Sequence, residues 1–254
     1  MVDVVNHPTL LLVASGGVLW LIARLGALLK SRYPLDEEMR EDYPVLMGAA
    51  LTLLGLLIGF SFSTAMTRYD QRKNLEEAEA NAIGTEYLRA DLLPAADAAG
   101  LKVLLKAYVE QRIIFYTVRD DDALGEVNAR TSRLQTELWN AVRIPAAATP
   151  TPIVSLAVAG MNEVLNAQGY TQAAWWNRIP MAAWCLLAAI AAGCNFLVGY
   201  GLRSAATANR LLFIFPLFTA IAMTLIADID APRSGLILVR PQNLISLSAS
   251  LSAS

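Results

Sequence analysis

The sequence predicts an all-α integral membrane protein with four transmembrane helices and a helical soluble domain between the second and third. Of 254 residues, 56% are hydrophobic and 17% charged, and the mean hydropathy of +0.44 is too high for a soluble domain of this length. Four apolar runs reach the roughly 20 helical residues that cross a bilayer. The polar stretch between the second and third runs repeats with a helical period and lacks a strand pattern.

The first two spans are predicted over residues 9–29 and 43–67, joined by a polar linker over 30–42, so that residues 1–67 form a hairpin. The chain opens without the basic segment of a signal peptide, and we expect the first span to be retained. The second span carries no charge. Its small residues recur at a spacing that lets helices approach closely, which predicts a helix-packing face. They are Gly48, Gly55, Gly59 and Ser63.

Residues 68–177 are predicted to form the soluble helical domain. The second helix continues out of the membrane to about Leu93, because strong helix formers follow the span and Pro94 ends them. Three further helices are predicted over 98–118, 124–141 and 153–168, with a linker over 145–152 and Thr151 as a helix N-cap. The second of these has an apolar stripe from Leu124 to Ala141 suited to helix packing.

The second hairpin is predicted over residues 178–230, with spans over 179–202 and 211–227 joined by a short loop, followed by a tail over 231–254. Trp175, Trp176 and Trp184 at the start of the third span match the aromatic belt of a membrane interface. An even number of spans puts the soluble domain and both termini on one side. Lysines and arginines are nearly balanced between the two faces, so charge leaves the orientation open.

Several function classes are disfavoured by composition. The net charge is −2 and no basic cluster is dense, which argues against nucleic acid as a partner. His7 is the only histidine, so no histidine metal site or Ser-His-Asp triad has a partner set. We expect no metal, no cofactor and no enzymatic activity. A group just beyond the second span could either coordinate a cation or pair with neighbours such as Arg72 and Lys73 at helical spacing, and pairing is the favoured interpretation. The group is Glu76, Glu77, Glu79 and Asn81.

Two segments carry a family resemblance. The stretch GFSFSTAMTRYDQRKNLEEAEANAIGTEYLRADLLP, residues 59–94, and the tail IADIDAPRSGLILVRPQNL, residues 226–244, resemble the bestrophin-like family of bacterial membrane proteins. The first segment supplies the predicted family-motif residues, which are Arg68, Tyr69, Asp70, Arg72, Glu79, Asn81, Gly84, Tyr87 and Arg89. A more distant similarity to bestrophin ion channels rests on the four-span layout and on Gly59 and Phe60 before Arg68 and Tyr69.

The resemblance implies a homo-oligomeric ion channel, a pentamer, in a bacterial inner membrane, with the soluble domain and both termini cytoplasmic. The second span would line the pore, and the matching constriction face is Thr52, Leu56 and Phe60. The rival face on the same helix is Leu54, Ile58 and Phe62. An uncharged apolar constriction can gate by dewetting. Chloride is the expected ion, because most bestrophins conduct anions. Asp228 and Asp230 are too few for a calcium site, so calcium gating is not expected.

One alternative belongs to another class of protein. A membrane-anchored interaction or scaffold protein without a pore would use the stripe from Leu124 to Ala141 to recruit a partner helix. The number of subunits separates the two hypotheses, because a ring supports a channel and a monomer or dimer supports an anchor.

Overall fold

The structure is a computed structural model that describes residues 8–202 and 212–253. Within these ranges all regular structure is helical. The helices are α1 (Pro8–Arg32), α2 (Glu37–Arg89), α3 (Ala95–Thr117), α4 (Asp121–Ala148), α5 (Pro152–Trp176), α6 (Met181–Gly201), α7 (Ile214–Asp230) and α8 (Gln242–Ala253). A short 3-10 turn, Ala90–Leu92, ends α2. The predicted all-α class is confirmed.

Three helical stretches are long and apolar enough to cross a bilayer, namely Pro8–Arg32, Glu37–Leu92 and Pro152–Gly201. They contain the first three predicted spans. The fourth predicted span, 211–227, corresponds to α7, which has 17 described residues. Three predicted features lie outside the described residues. They are Leu211 at the start of the predicted fourth span, the predicted loop over 203–210, and His7.

Helix α2 has 53 residues and is therefore about 80 Å long. It begins at Glu37, so most of the linker predicted over 30–42 is helical, and only residues 33–36 separate it from α1. Acidic residues in the first turn favour this start, since they stabilise the N-terminal end of the helix dipole. Pro44 lies about two turns further on, inside the helix. Because proline has no backbone N–H, the helix lacks one backbone hydrogen bond at this turn.

The predicted linker over 145–152 is wrong in its first half. Helix α4 continues through Pro145 to Ala148, and only residues 149–151 separate it from α5. The predicted N-cap of α5 is confirmed, because the Thr151 hydroxyl accepts a hydrogen bond from the Val154 N–H. Asp120 caps α4 in the same way through the Ala123 N–H.

The described helices divide into two units, with the boundary inside α2. The first unit is Met1–Arg68 with Arg178–Ile237. Its core joins Leu54 of α2 to Leu187 and Ala191 of α6 and to Ala220 of α7. Helices α1 and α6 approach most closely at Gly26 and Gly199. A Cβ at Gly199 would collide with the Ala23 carbonyl, which explains the glycine.

The second unit is Tyr69–Asn177 with Leu238–Ser254. Its core is built from α2, α3, α4 and α5, and it includes Ile83, Leu101, Leu138 and Met161, all completely buried. Helix α8 joins this unit through Leu244, which is also completely buried. The sequence predicts only a tail at this position, because the segment is short and rich in serine.

Candidate functional site

The span portion of α2 packs on the first unit along one side only. Leu54 is 3% exposed, and Ile58 is half-buried against the same cluster. Thr52, Leu56 and Phe60 are exposed, with 68% exposure for Phe60. At 100° per residue, this second face lies about 180° from the face that carries Leu54 and Ile58.

The two candidate constriction faces therefore have different surroundings in one chain. Thr52, Leu56 and Phe60 are brought together on a single exposed and uncharged face. The rival face is divided, since Leu54 and Ile58 pack on the chain's own helices while Phe62 is 37% exposed.

The predicted helix-packing residues form a third face. Gly48, Gly55 and Gly59 have open space where a Cβ would stand, and Ser63 is exposed. Within one chain, no helix covers this face in the part that the structure describes.

At the end of the span, the two resemblance segments meet in the first unit. The Arg68 guanidinium lies 3.7 Å from the Asp230 carboxylate. Asp230 also accepts a hydrogen bond from the Ile179 N–H at 3.0 Å. These contacts tie the end of α7 to the end of the α2 span and to the segment that precedes α6.

The neighbouring carboxylate, Asp228, binds backbone N–H groups. It accepts hydrogen bonds from the Leu236 N–H at 2.8 Å and from the Ile237 N–H at 2.9 Å. Among residues 8–202 and 212–253, no group of three histidines, cysteines or carboxylates is arranged to hold a metal ion. Asp228 and Asp230 act as structural acceptors in this geometry.

In the second unit, α2 presents charged side chains to the interior. Arg72, Glu76, Glu79 and Glu86 are at most 1% exposed. Arg72 donates hydrogen bonds to the carbonyl oxygens of Ala174 and Asn177, at 3.2 and 3.1 Å. A cation at this place stabilises the C-terminal end of α5, where helix carbonyls lack partners.

Glu76 anchors α8 to α2. Its carboxylate accepts hydrogen bonds from the Asn243 amide at 2.6 Å and from the Leu244 N–H at 2.9 Å. The sequence pointed to neighbours on α2 as partners of Glu76, and the structure adds these two partners on α8. A carboxylate near a helix start satisfies N–H groups that have no partner in the helix.

Glu79 is the centre of a buried network. It forms an ion pair with Arg112, and both side chains have no exposure. Tyr116 and Thr171 donate hydroxyl hydrogen bonds to it at 3.3 and 3.2 Å. Burial by itself lowers the pKa of Arg112, but the Glu79 carboxylate raises it, and the net effect is a raised pKa. The ion-pair partner of Glu79 is thus on α3, whereas the sequence pointed to neighbours on α2.

Glu86 has no hydrogen-bond partner for either carboxylate oxygen among the described residues, although it is completely buried. Burial raises its pKa to about 8, Arg89 opposes this shift, and Glu163 adds to it. Gly160 on α5 leaves the room that Glu86 occupies, because a Cβ there would collide with the carboxylate. The raised pKa favours the protonated form of Glu86 at neutral pH, which avoids an isolated buried charge.

The remaining predicted motif residues have varied surroundings. Tyr69 packs at the edge of the second unit's core, and Gly84 faces Leu247 of α8. The Lys102 ammonium lies 4.9 Å from the centre of the Tyr87 ring. Arg89 forms an exposed ion pair with Glu163 at 3.2 Å. Asp70 and Asn81 are exposed.

Sequence reasoning missed Arg112 and Glu86 as members of the polar clusters. Arg112 follows the helical period of the buried residues Leu105 and Tyr108 on α3. Glu86 continues the helical spacing of the buried charged residues on α2, which are Arg72, Glu76 and Glu79. The position of each residue in the helical repeat indicated burial, whereas its charged side chain is typical of an exposed position.

A model of the bestrophin-like domain matches residues 17–244 of this chain. The chain belongs to the bestrophin-like family. This family is known for ion channels and not for enzymes. The family and the three apolar helices together indicate a membrane protein. No curated protein sequence matches the chain.

Solved structures similar to this bestrophin-like chain include a bacterial bestrophin homologue from Klebsiella pneumoniae. One singly substituted variant has a TM-score of 0.67 at 14% identity, covering 94% of this chain and 97% of that one. Another has a TM-score of 0.66 at 15% identity, covering 94% and 99%. A structure of the homologue phased on zinc has a TM-score of 0.64 at 15% identity, covering 96% of each chain. At this identity the likeness shows the shared fold.

Proposed function

We propose that the chain is a subunit of a homopentameric ion channel in a bacterial inner membrane, conducting anions and specifically chloride. The two hairpins over 1–67 and 178–230 form four spans, with α7 as the fourth. The α2 span surrounds the pore axis, and Thr52, Leu56 and Phe60 form the constriction. Residues 68–177 extend the pathway into the cytoplasm.

The observation that carries the proposal is the incomplete cover of the α2 span. In its most apolar 18-residue window only 6% of residues are buried, compared with 17% for α1 and 22% for the stretch containing α6. One side packs on the chain and the opposite side is uncharged and exposed. A helix between its own subunit and a central axis has this division.

The glycine and serine face supports a ring of copies. It lies about 65° around the helix from the constriction face. A neighbouring subunit placed beside α2 would meet Gly48, Gly55, Gly59 and Ser63, where small residues permit close helix approach. The packing partner that one chain lacks is then supplied by the next chain.

The polar contacts of the family motif support a fixed position for α2. Arg68 is tied to Asp230, and Arg72, Glu76 and Glu79 engage α5, α8 and α3. Buried ion pairs specify one arrangement when their partners are complete. Within the first unit, the Arg68–Asp230 contact holds the end of the α2 span against α7.

The choice of anion rests on the family resemblance, since an apolar constriction gates by dewetting without choosing a sign. A flux assay tests both the channel and the ion. Protein is reconstituted in liposomes with sodium and chloride gradients set in opposition. Chloride-driven flux is expected, and an absence of flux in either gradient contradicts the channel.

A matched pair of variants tests the constriction face. Phe60 and Phe62 are two residues apart and point about 160° from each other. Phe60→Ala should raise the flux by widening the apolar ring, while Phe62→Ala should leave the flux unchanged. Unchanged flux in Phe60→Ala removes that residue from the gate, and a rise only in Phe62→Ala assigns the gate to the rival face.

The number of subunits tests the oligomer and the rival anchor hypothesis. Native mass measurement in mild detergent should give five times the chain mass of 27.5 kDa. A monomer or dimer contradicts the ring. The anchor hypothesis requires the apolar stripe from Leu124 to Ala141 to bind a partner helix. Its residues Val127, Leu134 and Leu138 are already buried in the core of the second unit.

Orientation has a separate test. Gly125 is exposed with open space around it. A Gly125→Cys variant, with both native cysteines replaced by alanine, should resist an impermeant thiol reagent in intact cells and react after lysis. Labelling in intact cells contradicts the cytoplasmic assignment.

A further inference from the structure

The first unit contains a cavity of about 410 Å³ that the pore proposal does not use. It lies where α1 and α6 begin and α7 ends. Its walls are apolar and include Leu11, Ala188 and Met223. The volume falls within the roughly 300–1,000 Å³ of small-molecule sites.

One edge of the cavity carries an unbalanced positive charge. Arg178 lines the cavity and is exposed, and it forms no ion pair with any residue that the structure describes. Asp230 also lines the cavity, but its carboxylate is already engaged by Arg68 and by the Ile179 N–H. A ligand with an anionic group would complement Arg178.

The cavity fits within the depth of one lipid leaflet. From Met181 to Ala188, which both line it, α6 rises about 10 Å, within the roughly 15 Å of half a hydrocarbon core. Trp184 lines the cavity between them, and tryptophan is typical of the membrane interface. The charged edge is therefore at headgroup level when α6 crosses the bilayer.

We propose that this cavity binds an anionic phospholipid of the surrounding bilayer. One acyl chain lies against Leu11, Ala188 and Met223, and the phosphate contacts the Arg178 guanidinium. The proposal requires α1, α6 and α7 to lie in lipid and does not require a pore.

The two native cysteines provide an internal probe. Cys185 lines the cavity and is exposed, whereas Cys194 is buried. The full chain is placed in lipid nanodiscs of phosphatidylglycerol or of phosphatidylcholine and treated with N-ethylmaleimide. Labelling of Cys185 should be about ten-fold slower in phosphatidylglycerol, because loss of one charge-assisted contact weakens binding by about that factor. Cys194 should stay unlabelled in both, which reports an intact fold.

Arg178→Gln should remove the difference between the two lipids. Arg24→Gln is the matched control, because Arg24 is another exposed arginine and lies toward the end of α1 that is remote from the cavity. It should preserve the difference. Ala188→Phe fills the cavity and should reduce the phosphatidylglycerol retained on the purified protein, measured by native mass spectrometry.

Equal labelling of Cys185 in both lipids overturns the proposal, as does a lipid difference that survives Arg178→Gln. Protection of Cys185 in lipid-free detergent also overturns it, since a neighbouring subunit would then cover the cavity. The flux assay is independent of these measurements, so failure of the lipid site and failure of the channel are distinguishable.

Discussion

The two halves of α2 reverse the usual relation between residue type and burial. In the first unit one apolar face of α2 is exposed, with Leu56 at 53% and Phe60 at 68%. In the second unit its charged side chains are buried, with Arg72 at 1% and Glu79 at 0%. The same helix thus exposes apolar side chains in one half and buries charged side chains in the other.

The difference teaches that burial depends on the solvent and on available partners. An exposed phenylalanine is costly in water but not in lipid or at a dewetted constriction. A buried carboxylate is costly unless it is paired or neutral. Glu79 is paired with Arg112, whereas Glu86 is neutral, so the second unit uses both solutions.

The largest expected effect is on the buried half. Arg112→Met leaves Glu79 as an unpaired buried charge and should destabilise the second unit by about 3–5 kcal/mol. Hydrogen–deuterium exchange of α3 and α5 in the full chain measures this change. Glu163→Gln is the control, because it breaks an exposed ion pair with Arg89 and should cost under about 1 kcal/mol. Equal losses of stability in the two variants would contradict the claim that the buried ion pair matters more than the exposed one.

Glu76→Ala should release α8. The change leaves the Leu244 N–H and the Asn243 amide without their charged acceptor, and it should cost about 2–3 kcal/mol. Faster proteolysis and amide exchange over residues 242–253 would report the release. The neighbouring variant Glu77→Ala, at an exposed position, should leave α8 protected. Release in both variants would contradict a specific anchoring role of Glu76.

Glu86 predicts a pH dependence. Its pKa is raised from 4.5 to about 8 on folding. The folded chain keeps a proton that the unfolded chain loses, so stability falls between these values, by at most about 1.4 kcal/mol per pH unit, and is flat above. Denaturant unfolding of Glu86→Gln across this range should lack the decline. Glu163→Gln should keep the decline but end it at a lower pH, because Glu163 contributes to the raised pKa of the folded chain. A decline that persists in Glu86→Gln assigns it to another group.

The smallest effect is expected on the exposed half. Phe60→Ala should change thermal stability in detergent by under about 0.5 kcal/mol, because little of the side chain packs on its own chain. The ion flux through Phe60→Ala should nevertheless rise. A loss of stability of several kcal/mol would instead place Phe60 in a packed interface between subunits.

Much of the helical layout could be predicted from the sequence. The period of apolar residues located α3, α4 and α5, and the break at Pro94 located the end of α2. Helix α8 could not be predicted, because twelve residues rich in serine form a helix here with Leu244 in the core and Glu76 at the first turn. The predicted linkers are too long, because polar residues and prolines are weak evidence against a helix. Pro44 lies inside α2, and Pro145 lies inside α4.

The candidate site was less predictable than the helices. Helical spacing grouped Thr52, Leu56 and Phe60, but it could not tell which face packs on the chain's own helices. Glu76 and Glu79 were expected to pair with neighbours on α2, because local spacing is all that a sequence displays. Their partners, Leu244 and Arg112, are distant along the chain, and only folding brings them together.

The sequence by itself determined the all-α class, the apolar segments and the family, since these depend on composition, period and motif, which are local properties. The tertiary structure alone decided which face of α2 is covered, which carboxylates are paired and where the chain leaves a cavity. These depend on contacts between residues far apart in the chain, and local propensity carries no information about them.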